Sequence, residues 1–125
     1  MSDKNKKQFG VWMDSYNATV VGRDKTESDL FVVTGHVRNA GPDNNSNENA
    51  SHNQEIGLTQ KFFKEIAGLM VNIDEVHVTG TGQIQEEFIR FLSDTAQYKN
   101  ARTIHSTNNR MSDDLLIVFF SEYFK

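Results

Sequence analysis

The sequence predicts an α/β domain: a mixed five-stranded sheet, made of an antiparallel three-strand meander plus two parallel strands, flanked by three helices. Three observations carry this expectation. Up to residue 38 the chain consists of short alternating or β-branched runs separated by brief turn segments. From residue 58 onward, helical apolar periods alternate with short strand-like runs. Between the halves lies NAGPDNNSNENASHNQE (39–55), with six asparagines and the chain's only proline. A stretch so poor in apolar side chains buries too little surface to offset the entropy of ordering it, so 39–55 is expected to be a mobile surface loop.

Each element follows from local chemistry. FGVWMD (9–14) alternates Phe9, Val11 and Met13 against Gly10, Trp12 and Asp14, which reads as a strand with one large aromatic on its second face. After the short turn 15–17, the β-branched ATVVGR (18–23) forms a second strand, and LFVVTGHVR (30–38) forms a third beyond the turn 24–28. LTQKFFKEIAGLMVN (58–72) spaces Leu58, Phe62, Phe63, Ile66, Leu69 and Met70 as a helix, with Thr59 as its expected N-cap. Gly68 within it points to close packing on a neighbour. EVHVTG (75–80) is a strand, and TGTG (79–82) leads into the helical QIQEEFIRFLSDTAQ (83–97) with Thr81 or Gly82 capping it. ARTIHS (101–106) is the fifth strand. In 111–125, Ser112 is placed to cap a last helix, with Asp113 and Asp114 on the positive end of its dipole. Strand–helix–strand units require crossovers, so the last two strands should lie parallel in one sheet.

At 125 residues and 14.2 kDa the chain is expected to form one domain over 9–125, behind a disordered basic tail at 1–8 carrying Lys4, Lys6 and Lys7. The absence of cysteine excludes disulfides, thiolate metal sites and a catalytic thiol. The first ten residues lack the apolar core of a secretory signal, and no run reaches the ~20 apolar residues of a membrane span. A cytoplasmic protein without membrane contact is the expectation. The net charge of -4 argues against a nonspecific nucleic-acid binder, although local cations stand at Arg23 and Lys25, and at Lys99 and Arg102.

Four segments in order resemble a known family. These are VWMDSYNATVV (11–21), the helix KFFKEIAGLM (61–70), the Gly-x-Gly strand-to-helix turn within VHVTGTGQIQEEFIRFL (76–92), and the terminal RTIHSTNNRMSDDLLIVFFSEYF (102–124). Together they resemble the middle domain of class-1 archaeal and eukaryotic release factors and of Pelota, and more closely its small stand-alone bacterial relatives. The resemblance implies a ribonuclease H-like fold and an association with translation, through the ribosome or tRNA. In release factors the connection between the third strand and the first long helix carries Gly-Gly-Gln, the triplet that assists peptidyl-tRNA hydrolysis. The matching segment here is 39–55, and Gly-Gly-Gln occurs nowhere in this chain. Pelota also lacks the triplet and acts at stalled ribosomes. The resemblance therefore implies a non-catalytic binding module rather than a hydrolase.

Several residues remain as site candidates. Ribonuclease H-type nucleases converge carboxylates on metal ions, and Asp14 ends the first strand where one such acid would sit, with Glu65 as a second. Against this alternative, the fourth strand offers only Glu75 at its start, and Asp14 serves equally as a turn cap before Tyr16 and Asn17. The turn at Thr81, Gly82 and Gln83 opens a helix and would turn backbone donors towards an anion, although Glu86 opposes one. With Arg23, Lys25 and Arg38 these residues form the candidate RNA- or anion-binding set. His36, His52, His77 and His105 lack ligand spacing, although His77 and His105 on neighbouring strands could face one side, and no metal or other cofactor is expected. Trp12, Tyr16, Tyr98 and Tyr123 are read as core or self-association aromatics rather than base-stacking platforms. Phe119 and Phe120 cannot both enter one core, which points to an exposed apolar patch and a homodimer as a further alternative.

Overall fold

The computed structural model describes residues 7–23, 31–39, 48–70 and 72–124, with the backbone alone described for Arg23 and for residues 48–56. Residues 1–6 of the basic tail, residues 24–30 with the expected turn 24–28 and Lys25, and residues 40–47 of the expected loop lie outside the described residues. Strands β1 (Gln8–Met13), β2 (Asn17–Arg23) and β3 (Phe31–Arg38) are followed by helix α1 (Glu48–Gly68). Strand β4 (Glu75–Gly80), helix α2 (Ile84–Asp94), strand β5 (Arg102–His105) and helix α3 (Asp113–Tyr123) complete the chain. The sheet has the order β3-β2-β1-β4-β5, antiparallel across β1–β2 and β2–β3 and parallel across β1–β4 and β4–β5. This is the expected mixed sheet, with the meander on one side and the two later strands on the other.

Strand β1 sits at the centre and is buried along its whole length, as a strand covered on both faces must be. Its alternation sorts two cores. Phe9, Val11 and Met13 face α1 and α2, packing with Phe62, Phe63, Ile66, Phe88 and Leu92. Trp12 faces the other way, against Leu116, Phe120 and Phe124 of the α3 side. Three layers result, with the sheet in the middle. Gly10 is needed here because a Cβ at this position would overlap the Phe120 ring, so its absence lets α3 settle onto the central strand.

Four expectations change. Residues 48–55 are the first turns of α1 and not loop, and Thr59 lies within the helix rather than at its N-cap. From Glu48 to Ile56 no Gly or Pro breaks a helix, and Glu, Ala and Gln are good formers, so low hydrophobicity there does not preclude one. At its other end α1 stops at Gly68, which is exposed and where a Cβ would meet no neighbour, so it serves as a terminus rather than a close-packing site. Asn72 then takes a left-handed backbone (φ 57°), a conformation asparagine tolerates, and turns the chain into β4. Finally, Phe119 and Phe120 both pack on the α3-side core, so the exposed apolar surface of α3 comes instead from Leu115 and Val118, each 57% exposed.

Candidate functional site at the carboxyl end of the parallel strands

The loops after β1, β4 and β5 all emerge at one end of the sheet, where the parallel strands point their carboxyl termini. From β1 the chain turns towards β2, and from β4 it turns the opposite way through α2 to β5. Neighbouring strands whose connections diverge leave a crevice at that end, the usual place for a ligand in open α/β sheets.

Asp14 closes the β1–β2 turn. Its Oδ1 accepts from the Tyr16 N–H at 2.8 Å and the Asn17 N–H at 2.7 Å, and its own N–H donates to the Asn17 carbonyl at 2.9 Å. That is the work of a turn cap. Glu75 lies at the opposite end of the sheet, where Oε1 accepts from Gln8 Nε2 at 2.8 Å and Oε2 stands 3.4 Å from Arg102 Nη1. Glu65 is exposed on α1. These three acids do not converge, and among the described residues no group of three or more His, Asp or Glu side chains could hold a metal ion.

The turn after β4 is closed by its own side chains. Gly80 runs so near β1 that a Cβ there would overlap the Met13 carbonyl oxygen. Gln85 is fully buried and reaches back. Its Oε1 accepts from the Gly82 N–H at 2.9 Å while its Nε2 donates to the Ser106 carbonyl at 3.2 Å. Neither Thr81 nor Gly82 caps α2; the N-cap position is Gln83, without a side-chain cap bond. Thr81, Gly82 and Gln83 are exposed, but the Gly82 donor is engaged by Gln85. Of the other candidates, Arg38 pairs with Asn17 at this end of the sheet, Arg23 pairs with Phe31 at the far end, and Lys25 lies outside the described residues. The set is thus split between the two ends.

A buried polar network anchors the segment after β5. His77 Nε2 lies 2.6 Å from Ser106 Oγ, Ser106 Oγ donates to Thr79 Oγ1 at 2.8 Å, and Asn108 Nδ2 donates to the same oxygen at 2.7 Å. Nδ1 is buried and has no hydrogen-bond partner among the described residues. It is enclosed by rings, the nearest being Tyr123 with centroids 4.3 Å apart. Burial, with His105 nearby, lowers the His77 pKa from 6.5 to about 4. His105 does not share its face: the register sets Ile104 against His77 and His105 against Val78, so the two histidines form no ligand pair.

The same segment is tied down twice more. The Asn108 N–H donates to the Gly80 carbonyl at 2.8 Å. The Trp12 indole N–H donates to the Asn108 carbonyl at 3.3 Å and the Asn109 carbonyl at 3.1 Å. Trp12, 2% exposed, therefore joins the apolar core to the backbone that presents Arg110. Over the sheet on this side lies a cleft of about 420 Å³, lined by Trp12, Asn17, Thr19 and His36 from the meander and by Arg110, Met111, Ser112 and Asp113 from the approach to α3. His36 Nε2 is 2.9 Å from Asp113 Oδ2 and crosses the cleft as an exposed pair. Ser112 Oγ accepts from the Leu115 N–H and caps the helix as expected. Arg110 has no hydrogen-bond or ion-pair partner among the described residues. Arg110 and Thr19 were not legible as site residues, because the cleft joins positions about a hundred residues apart.

With the three-layer fold and this end of the sheet defined, the chain can be set beside known proteins. No protein-family model matches it, and no curated protein matches it in sequence. Solved structures do match in fold. An archaeal translation termination factor, aRF1, gives a TM-score of 0.59 over 97% of this chain and 35% of its own, at 14% identity. The Pelota protein of Thermoplasma acidophilum gives 0.57 over 95% and 33%, at 16% identity. Pelota of Archaeoglobus fulgidus gives 0.56 over 98% and 34%, at 12% identity. The chain thus spans about a third of the length of these structures and shares the fold of that third.

Proposed function

We propose that this domain is a non-catalytic binding module of the translation apparatus, docking on the ribosome or on tRNA. The observation that supports this reading is the fold likeness across nearly the whole chain to a translation termination factor and to two Pelota proteins. Two features of the chain accord with a binding role. Asp14, the acid best placed for a nuclease, is occupied as a turn cap, and Gly-Gly-Gln is missing. The β3–α1 connection, which by chain order corresponds to the Gly-Gly-Gln segment of the family that the sequence resembles, is the segment expected to make the contact.

Co-sedimentation tests the reading. The full chain should pellet with purified ribosomes at low salt and be released as salt rises, because phosphate contacts weaken as counterions compete. Replacing residues 41–47 by a Gly/Ser stretch of equal length should reduce pelleting. A chain that stays in the supernatant at low salt would refute the proposal. A second reading, self-association through α3, is favoured by the exposed Leu115 and Val118, one turn apart on the same helix. Light scattering on the wild type and on Leu115→Lys decides it, since a dimer built on that face becomes a monomer in the variant.

A further inference from the structure

The cleft over the meander brings together a guanidinium, Arg110, unpaired among the described residues, and a carboxylate, Asp113, that pairs with His36. Arg110 projects from a backbone fixed by Trp12 and Asn108, so its position is held while its guanidinium has no partner among the described residues. Arg38 stands directly across the ladder from Asn17, an exposed cation beside a residue that lines the cleft. A guanidinium fork in this setting suits a phosphate or carboxylate.

The opposite sign is present as well. Asp113 lines the same cleft, and His36 holds one of its oxygens at 2.9 Å and thereby sets its orientation. A bare anion would meet repulsion from that carboxylate. A ligand that fits must carry hydrogen-bond donors close to its anionic group. The hydroxyls of a ribose beside its phosphate meet this requirement. Asn17 and Thr19 add an amide and a hydroxyl that can pair with the edge of a base. The volume, about 420 Å³, lies in the range of small-molecule sites. The cleft opens on the α3 face of the meander, between β1–β3 and the segment that leads into α3.

We propose that this cleft binds a ribonucleotide, with Arg110 engaging the phosphate and Asp113 accepting from the ribose hydroxyls. The inference stands on the cleft and not on ribosome association, which the sedimentation experiment tests separately. Isothermal titration calorimetry on the full chain decides it. The probes are the four ribonucleoside 5′-monophosphates, their 2′-deoxy counterparts, adenosine, and a four-nucleotide RNA. At least one ribonucleotide or the RNA should bind, with adenosine and the deoxy forms weaker. Arg110→Ala should weaken binding by about tenfold or more, the loss expected for one charge-assisted contact. Asp113→Asn should narrow the gap between ribo and deoxy forms. Arg90→Ala, on the exposed side of α2, should bind as the wild type does. Binding of mononucleotides identifies a free nucleotide as the source, and binding of the RNA alone identifies a strand. No binding by any ribonucleotide or RNA at millimolar concentration, equal binding of ribo and deoxy forms, or full binding by Arg110→Ala would overturn the proposal.

Discussion

His77 and Asp14 show how much of the candidate chemistry of this chain is structural work. His77 is 3% exposed, hydrogen-bonds Ser106 through Nε2, and keeps Nδ1 without a partner among the described residues, against aromatic rings. Protonating it would place a charge in that ring cage, and burial accordingly lowers its pKa to about 4. Above pH 6.5 the group is neutral in both folded and unfolded chains and contributes no pH dependence. As pH falls from 6.5 towards 4 the unfolded chain takes up the proton first, so stability declines across that window by a total of about 3 kcal/mol. Thermal midpoints measured from pH 7 to pH 4 should show the decline in the wild type and a shallower one in His77→Gln. Asp14→Ala removes the two accepting bonds of the β1–β2 turn and should lower stability by about 1 kcal/mol in urea unfolding. As a cap rather than a metal ligand, its loss should leave any Mg²⁺- or Mn²⁺-dependent cleavage by the preparation unchanged.

Among the elements, those with local signatures were legible and those without were not. Helix α3 starts at Asp113 behind a Ser112 cap because Ser-Asp-Asp precedes an apolar run, a pattern readable without knowledge of the rest of the chain. Ser112→Ala should cost about 1 kcal/mol, readable as a shifted urea midpoint with an unchanged slope. Strand β4 likewise ends at the glycine that its sequence proposes, for a reason only packing reveals: the Met13 carbonyl leaves no room for a Cβ. The start of α1 was hidden because its first turns lack the apolar spacing that identifies a helix, so their polar composition read as loop. Gly10 was equally silent. Its role appears only once α3 is laid across the sheet, and Gly10→Ala should lower stability by about 1–3 kcal/mol as Phe120 is displaced.

At the level of the whole molecule the antiparallel meander and the parallel β4–β5 pair were legible in the sequence, because two tight connections impose the first and a helical crossover the second, but the pairing of β4 with β1 was not. The cleft was not, because Trp12, His36 and Arg110 become neighbours only through β1 pairing with β2, β2 with β3, and the docking of α3. The same dependence has a consequence for how the chain is made. The strand at the middle of the sheet is the first to be synthesised, yet Gln8 finds its parallel partner at Glu75, a separation that makes the pairing slow. A ribosome-bound nascent chain truncated before β4 could form only the three-strand meander with α1 on one face and the α3 face bare. Pulse-labelled hydrogen exchange on chains arrested at successive lengths should therefore find the β1 amides that face β4 protected only after residue 80 has cleared the exit tunnel.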